Sequence, residues 1–86
     1  MKYRSRTELA SHILEAANGG STKTKIMYKA FLSYAQLKEY LDFLVVNGLI
    51  KYDTTRQTYH TTPKGIRFLG LYNQMGELVS TVTPIK

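Results

Sequence analysis

The stretch from Ser33 to Gly48 constrains this chain more than any other. Ser33 and Gln36 stand at the spacing of a capping box, in which the Ser hydroxyl and the Gln amide each satisfy a backbone N–H that a helix start leaves without a partner. Leu37, Leu41, Leu44 and Gly48 follow at intervals of 4, 3 and 4 residues, so they share one face. Asn47-Gly48 closes the run, because Gly adopts the left-handed backbone that helix ends use. These signals predict a helix over residues 34–47 with one apolar face, and the rest of the chain must supply the surface it packs on.

Similar punctuation defines the neighbours. Leu9, Ala10, Ile13, Leu14 and Ala17 form an amphipathic stripe that predicts a helix over residues 6–18, capped by Thr7 or Ser5 and stopped at Asn18-Gly19-Gly20. Ser21-Thr22 offers a fresh cap for a short second helix, with Ile26, Met27 and Ala30 on one face and Lys23, Lys25 and Lys29 on the other. Phe31-Leu32 is expected to be a buried connector. Beyond the third helix, Leu49-Ile50-Lys51-Tyr52-Asp53 and Gln57-Thr58-Tyr59-His60-Thr61 alternate apolar and polar about a polar turn, which predicts a two-stranded hairpin. Isolated hairpins are marginal in water, so this one must lean on the helices. Thr62-Pro63 then opens a fourth helix that reaches at least Asn73, with Pro at the first helical position. The expected class is mainly α with a small β-hairpin (α+β).

The fourth helix presents two apolar faces. Ile66 and Leu69 point one way, while Phe68, Leu71, Met75, Leu78 and Val82 recur at 3, 4, 3 and 4 residues, the repeat of a coiled-coil seam. One domain needs only one such face, so the second predicts a homodimer with Phe68, Leu71, Tyr72, Met75 and Leu78 at its interface. Two other readings stay open: Gly70, Gly76 and the β-branched residues after Leu78 end the helix near Gly76, or Phe68 and its neighbours fold back onto the first helix. The expected layout is a basic N-terminal arm (residues 1–5), a compact unit (6–62), and a C-terminal helix and tail (63–83) that Pro84 terminates.

The charge is uneven. Among 86 residues, 12 Lys+Arg stand against 6 Asp+Glu, a net charge of +6. Lys2, Arg4 and Arg6 precede the first acid, Lys23, Lys25 and Lys29 cluster in the second helix, and Arg56 stands alone in the hairpin turn. Such clustering is the footprint expected for a polyanion partner. Zero Cys excludes disulfides, thiolate metal sites and cysteine nucleophiles, so a domain this small must be stabilised by its core, a partner subunit, or both. No apolar run approaches the roughly 20 residues a membrane helix requires, and the basic start has no apolar segment behind it, so a cytoplasmic protein with neither membrane span nor secretory signal is expected. His12 and His60 have no second ligand at metal-binding spacing, Glu8 and Glu15 read as solvated surface, and Gly19-Gly20 lacks the remainder of a phosphate loop. The expectation is no enzyme, no catalytic or metal residue, and no cofactor; a small-molecule effector is left open.

Helix, short helix, close connection, longer helix, hairpin, helix is the order of a winged helix-turn-helix with an added C-terminal helix. An α-helix fits the major groove of B-DNA, and in this arrangement it is the second helix of the turn-linked pair that enters, by its N-terminal residues. Tyr34, Ala35, Gln36 and Lys38 are therefore candidates for base and phosphate contact. Ser33 leaves backbone N–H groups facing outward, which suits a phosphate oxygen. Lys23, Lys25 and Lys29 would touch the flanking backbone, Arg56 would enter the adjacent minor groove with Thr55, Thr54 and Gln57 beside it, and Arg4 and Arg6, with Lys2, would act from the arm. Gln36 has the alternative of full occupation in the capping box, and Tyr34 of packing under the second helix. Glu39 and Asp42 on the outer face imply an end-on entry. Phe43 and Val46 also point outward and are expected to be covered by the hairpin or the N-terminal arm.

Ser33-Tyr34-Ala35-Gln36-Leu37-Lys38-Glu39-Tyr40-Leu41, Leu44-Val45-Val46-Asn47-Gly48-Leu49-Ile50 and Tyr59-His60-Thr61-Thr62-Pro63-Lys64-Gly65-Ile66-Arg67-Phe68-Leu69 resemble the small archaeal winged helix-turn-helix proteins, in particular the ten-kilodalton DNA-binding type of Sulfolobales and its plasmid and virus relatives. The resemblance spans about Arg4 to Tyr72, and the Asn-Gly-Leu-Ile and Thr-x-Lys-Gly signatures are shared by many winged-helix regulators. It implies double-stranded DNA as partner. Chromatin-associated members carry a long C-terminal helix that forms an antiparallel dimer rod; here only about twenty residues follow Lys64, so the expectation is a transcriptional regulator, with a nucleoid-associated architectural role or a protein-interaction module as alternatives.

Overall fold

A computed structural model describes residues 5–82, and their side chains as far as residue 74. Four helices and a two-stranded antiparallel hairpin follow in the order α1 (Arg6–Ala17), α2 (Lys23–Ala30), α3 (Tyr34–Val46), β1 (Ile50–Asp53), β2 (Thr58–Thr61) and α4 (Pro63–Val82). This is the expected α+β winged helix-turn-helix with a C-terminal helix.

The caps lie where the sequence places them. Ser5, rather than Thr7, accepts from the Glu8 N–H at 3.0 Å to open α1, and Thr22 accepts from the Lys25 N–H at 3.3 Å to open α2. Both halves of the Ser33–Gln36 box form: the Gln36 N–H donates to Ser33 Oγ at 3.2 Å, and the Ser33 N–H donates to Gln36 Oε1 at 3.3 Å. At its far end α3 closes with two bonds in the Schellman pattern, Gly48 N–H to the Val45 carbonyl at 3.0 Å and Leu49 N–H to the Leu44 carbonyl at 2.9 Å. That pattern needs a left-handed residue between them, and Gly48 has φ +74°.

α1 is the spine. Ile13 and Leu14 are fully buried and gather Ile26 and Ala30 from α2, Leu37, Leu41 and Leu44 from α3, Ile50 from β1 and Leu69 from α4 into one core. The stripe of α3 is thus buried as the 4-3 spacing requires. On α4 the inward residue is Leu69, whereas Ile66 is exposed.

The hairpin pairs Ile50 with Thr61 and Asp53 with Thr58, and the Tyr52 and Tyr59 rings lie 4.7 Å apart with their planes tilted by 47°. It leans on the helices through contacts that short-range pattern could not reveal. Ser21, between α1 and α2, exchanges two backbone hydrogen bonds with Tyr59, at 3.0 and 2.8 Å, forming a one-residue third strand. At the root of the hairpin, the Thr61 hydroxyl donates to the Leu14 carbonyl and the Thr62 hydroxyl to the Gly48 carbonyl, each at 2.6 Å. A Cβ on Gly65 would overlap the Leu49 carbonyl oxygen and the Thr61 methyl, so this first turn of α4 fits only with glycine. Lys64 Nζ donates to the Asn47 carbonyl at 2.9 Å, a cation on the C-terminus of α3.

Three expectations need correction. Of the connector Phe31-Leu32, only Leu32 is buried; Phe31 is 83% exposed. Phe43 and Val46 are 57% and 84% exposed, so the hairpin does not cover them, and the alternative cover, residues 1–4 of the arm, lies outside the described residues. The second strand begins at Thr58 because Gln57 takes a left-handed φ of +55° that closes the hairpin loop.

Candidate nucleic-acid interface

The N-terminal turn of α3 carries Tyr34, Ala35, Gln36 and Lys38, all exposed, beyond the exposed cap Ser33. Gln36 is partly committed: its Oε1 holds the Ser33 N–H, so a two-point contact with adenine, which needs both Oε1 and Nε2, requires that bond to open. Tyr34 does meet α2, yet without being buried. Lys23 Nζ stands 5.4 Å from its ring centroid, a cation–π contact, and the ring remains 56% exposed.

The α2 lysines do not share one face. Lys23 is half-buried beside Tyr34, whereas Lys29 lines a shallow recess with His12, Glu15 and Ala16 of α1. Six positions apart at 3.6 residues per turn, the two are separated by about a third of a turn, and only Lys23 is brought against α3. Lys25 is exposed.

At the hairpin tip, Asp53 Oδ1 accepts from the Thr55 N–H at 2.9 Å and the Arg56 N–H at 3.3 Å. This Asx turn fixes the backbone beneath Arg56 and leaves Thr54, Thr55, Arg56 and Gln57 exposed. Arg6 belongs to α1 rather than to a free arm. With Thr7 and Ala10 it lines an apolar groove of about 410 Å³ between α1, α3 and α4, whose other walls include Glu39, Tyr40, Phe43 and Phe68. Arg4 lies outside the described residues.

Of the seam residues, Phe68 is half-buried and packs against the core, Tyr72 is half-buried, and Leu71 is exposed. The side chains of Met75 and Leu78 lie outside the described residues, while the helix backbone continues past Gly76 to Val82. Among the described residues no three His, Asp or Glu side chains gather where a metal ion could be held, and no helix is long and apolar enough to cross a membrane.

Sequence reasoning missed Tyr28 and Phe31 at this surface. Tyr28, 70% exposed, was legible from its place away from the Ile26–Ala30 stripe; Phe31 was not, because its hydropathy matches that of its buried neighbour Leu32.

Comparison with known proteins agrees with this geometry. The chain is 36% identical over 76 residues to the uncharacterized protein MJ0287 of Methanocaldococcus jannaschii, covering 87% of this chain and 73% of that one. The fold is similar to the crystal structure of Sso10a-2, a DNA-binding protein from Sulfolobus solfataricus, with a TM-score of 0.72 at 22% identity, covering 95% of this chain and all of the other. Residues 3–80 match the model of the winged helix-turn-helix family. With the capped third helix, the hairpin wing and the C-terminal helix all in order, the chain belongs to the winged helix-turn-helix family.

Proposed function

We propose that this protein binds double-stranded DNA as a transcriptional regulator, with the N-terminal turn of α3 in the major groove and the wing, residues 53–58, on the backbone or in the adjacent minor groove. The observation that carries the reading is the exposed start of α3, where Tyr34, Ala35, Gln36 and Lys38 project beside Lys23 while the Leu stripe anchors the helix behind them. Ser33, Lys25, Lys29, Thr55 and Arg56 add phosphate contacts, and Arg4 and Arg6 reinforce them from the N-terminal side. Catalysis and a cofactor have no part in it. A cytoplasmic, nucleoid-associated location follows from the same partner.

The protein acts as a homodimer through α4, with Leu71, Met75 and Leu78 in the seam and Phe68 and Tyr72 at its domain end. What supports this is a patch rather than one residue: the exposed Leu71 lines an apolar groove together with Phe43, Leu49 and Phe68.

Three measurements test the reading. With six to eight cationic contacts, log K for a duplex should fall against log salt with a slope of about −5 to −7. Replacing Lys25, Lys29 and Arg56 together by Ala should flatten that slope by about 3 and weaken binding across sequences; no duplex binding at low salt, or an unaltered slope, refutes it. Selection of bound duplexes from a random pool should return a two-fold symmetric site, and sedimentation should show Leu71→Lys shifted to monomer. A wild type that is monomeric at high concentration ends the dimer proposal.

A further inference from the structure

α2 ends in the same Schellman bonds as α3: Phe31 N–H donates to the Tyr28 carbonyl at 3.3 Å and Leu32 N–H to the Met27 carbonyl at 3.1 Å. The residue between must be left-handed, and here it is Phe31, with φ +56°. A bulky side chain in that conformation is strained relative to Gly, and its ring, 83% exposed, returns little burial to the core. Folding alone would favour Gly or Asn. Most of the ring's surface is thus open to a contact outside the chain.

Its surroundings define that contact. Tyr28 and Tyr34 lie three residues to either side of Phe31 and are 70% and 56% exposed. Between Glu15 and Glu39 the sequence has no Asp or Glu, yet it holds Lys23, Lys25, Lys29 and Lys38. Three exposed aromatic rings in a stretch of sequence whose only charged residues are lysines suit a phosphate chain whose bases offer their faces. Paired bases offer only edges in the grooves, where a Phe ring can meet a thymine methyl but never a base face. Unpaired bases do offer faces, and aromatic side chains amid lysines are how single strands are held.

We propose that the turn between α2 and α3 is a base-stacking site for single-stranded DNA, in which Tyr28, Phe31 and Tyr34 take the faces of unpaired bases and the neighbouring lysines hold the phosphates. The choice of DNA as the strand rests on the duplex-binding reading of the adjoining α3 surface; the stacking itself does not.

The chain has no Trp, so Phe31→Trp introduces a single fluorophore at the site. At low salt, an oligothymidine deoxy strand should quench its emission to saturation, the matching dA·dT duplex should bind with little quenching, and oligouridine RNA should bind more weakly than the deoxy strand. Phe31→Gly removes the ring and relieves the backbone, so unfolding cannot explain its effect: it should lose about tenfold in affinity for the deoxy strand while duplex affinity changes less than about twofold. Unchanged emission at saturating strand, unchanged strand affinity in Phe31→Gly, or an equal loss for strand and duplex would overturn the stacking site; tighter binding of the RNA would overturn DNA as its strand. Quenching by the strand without any duplex binding refutes the duplex reading and leaves this one standing.

Discussion

Two helix ends in this molecule are built to one plan and finished with different residues. α2 and α3 both close through paired Schellman bonds about a left-handed residue, but α3 uses Gly48 at φ +74° and α2 uses Phe31 at φ +56°. Their environments differ as well. The end of α3 lies at the root of the wing, where Thr62 donates to the Gly48 carbonyl and Lys64 to the Asn47 carbonyl, whereas the end of α2 turns an aromatic ring to solvent. Hydrogen bonding dictates the backbone at both places. At one the left-handed residue is a glycine, at the other an aromatic with most of its surface in water.

The wing root should be the costlier region to disturb. Gly65→Ala forces a Cβ against the Leu49 carbonyl and should destabilise by about 2–3 kcal/mol, seen as a melting temperature lower by about 10–20 °C. A loss under about 0.5 kcal/mol would mean that the root relaxes easily, and the contrast between the two ends would fail. Substitution at the paired helix ends should then have opposite signs. Gly48→Ala should cost about 1 kcal/mol in urea unfolding, since nothing crowds its Cβ and the left-handed backbone is the whole penalty. Phe31→Gly should gain about 0.5–1 kcal/mol, and a loss instead would show that the ring is packed for stability. The smallest effect is expected at the wing tip, where Gln57→Gly, at a similar positive φ on an open loop, should gain a few tenths of a kcal/mol in the same assay.

The same contrast marks how far the sequence could be read. Caps and stops were legible because their determinants lie within four residues: Ser33 with Gln36, Thr22 with Lys25, Asn47 with Gly48, Thr62 with Pro63. The Leu stripe of α3 was legible because helical periodicity is local too. What depends on distant neighbours was not. Phe31, Phe43 and Val46 are apolar and exposed, and no count of hydropathy distinguishes them from Leu32 or Leu44. The bridge from Ser21 to Tyr59 joins residues 38 positions apart and is made wholly of backbone, so no side chain announces it. At the candidate interface, residue types were readable but their grouping was not: Lys23 meets Tyr34 while Lys29 turns to the α1 side.

That backbone bridge also has a mechanical meaning. A wing attached only at its two strand ends would swing like a flap on the hinge at Asn47 and Thr62. Tying its second strand to the turn between α1 and α2 adds a third anchor, on the far side from the hinge. Together with the Thr61 hydroxyl on the Leu14 carbonyl, this bridge opposes the swing and ties the second strand to α1 and to the turn that follows it. On the duplex-binding reading proposed above, adjustment to a curved or widened duplex would then fall to the duplex, whose bending cost would become part of how sites are told apart.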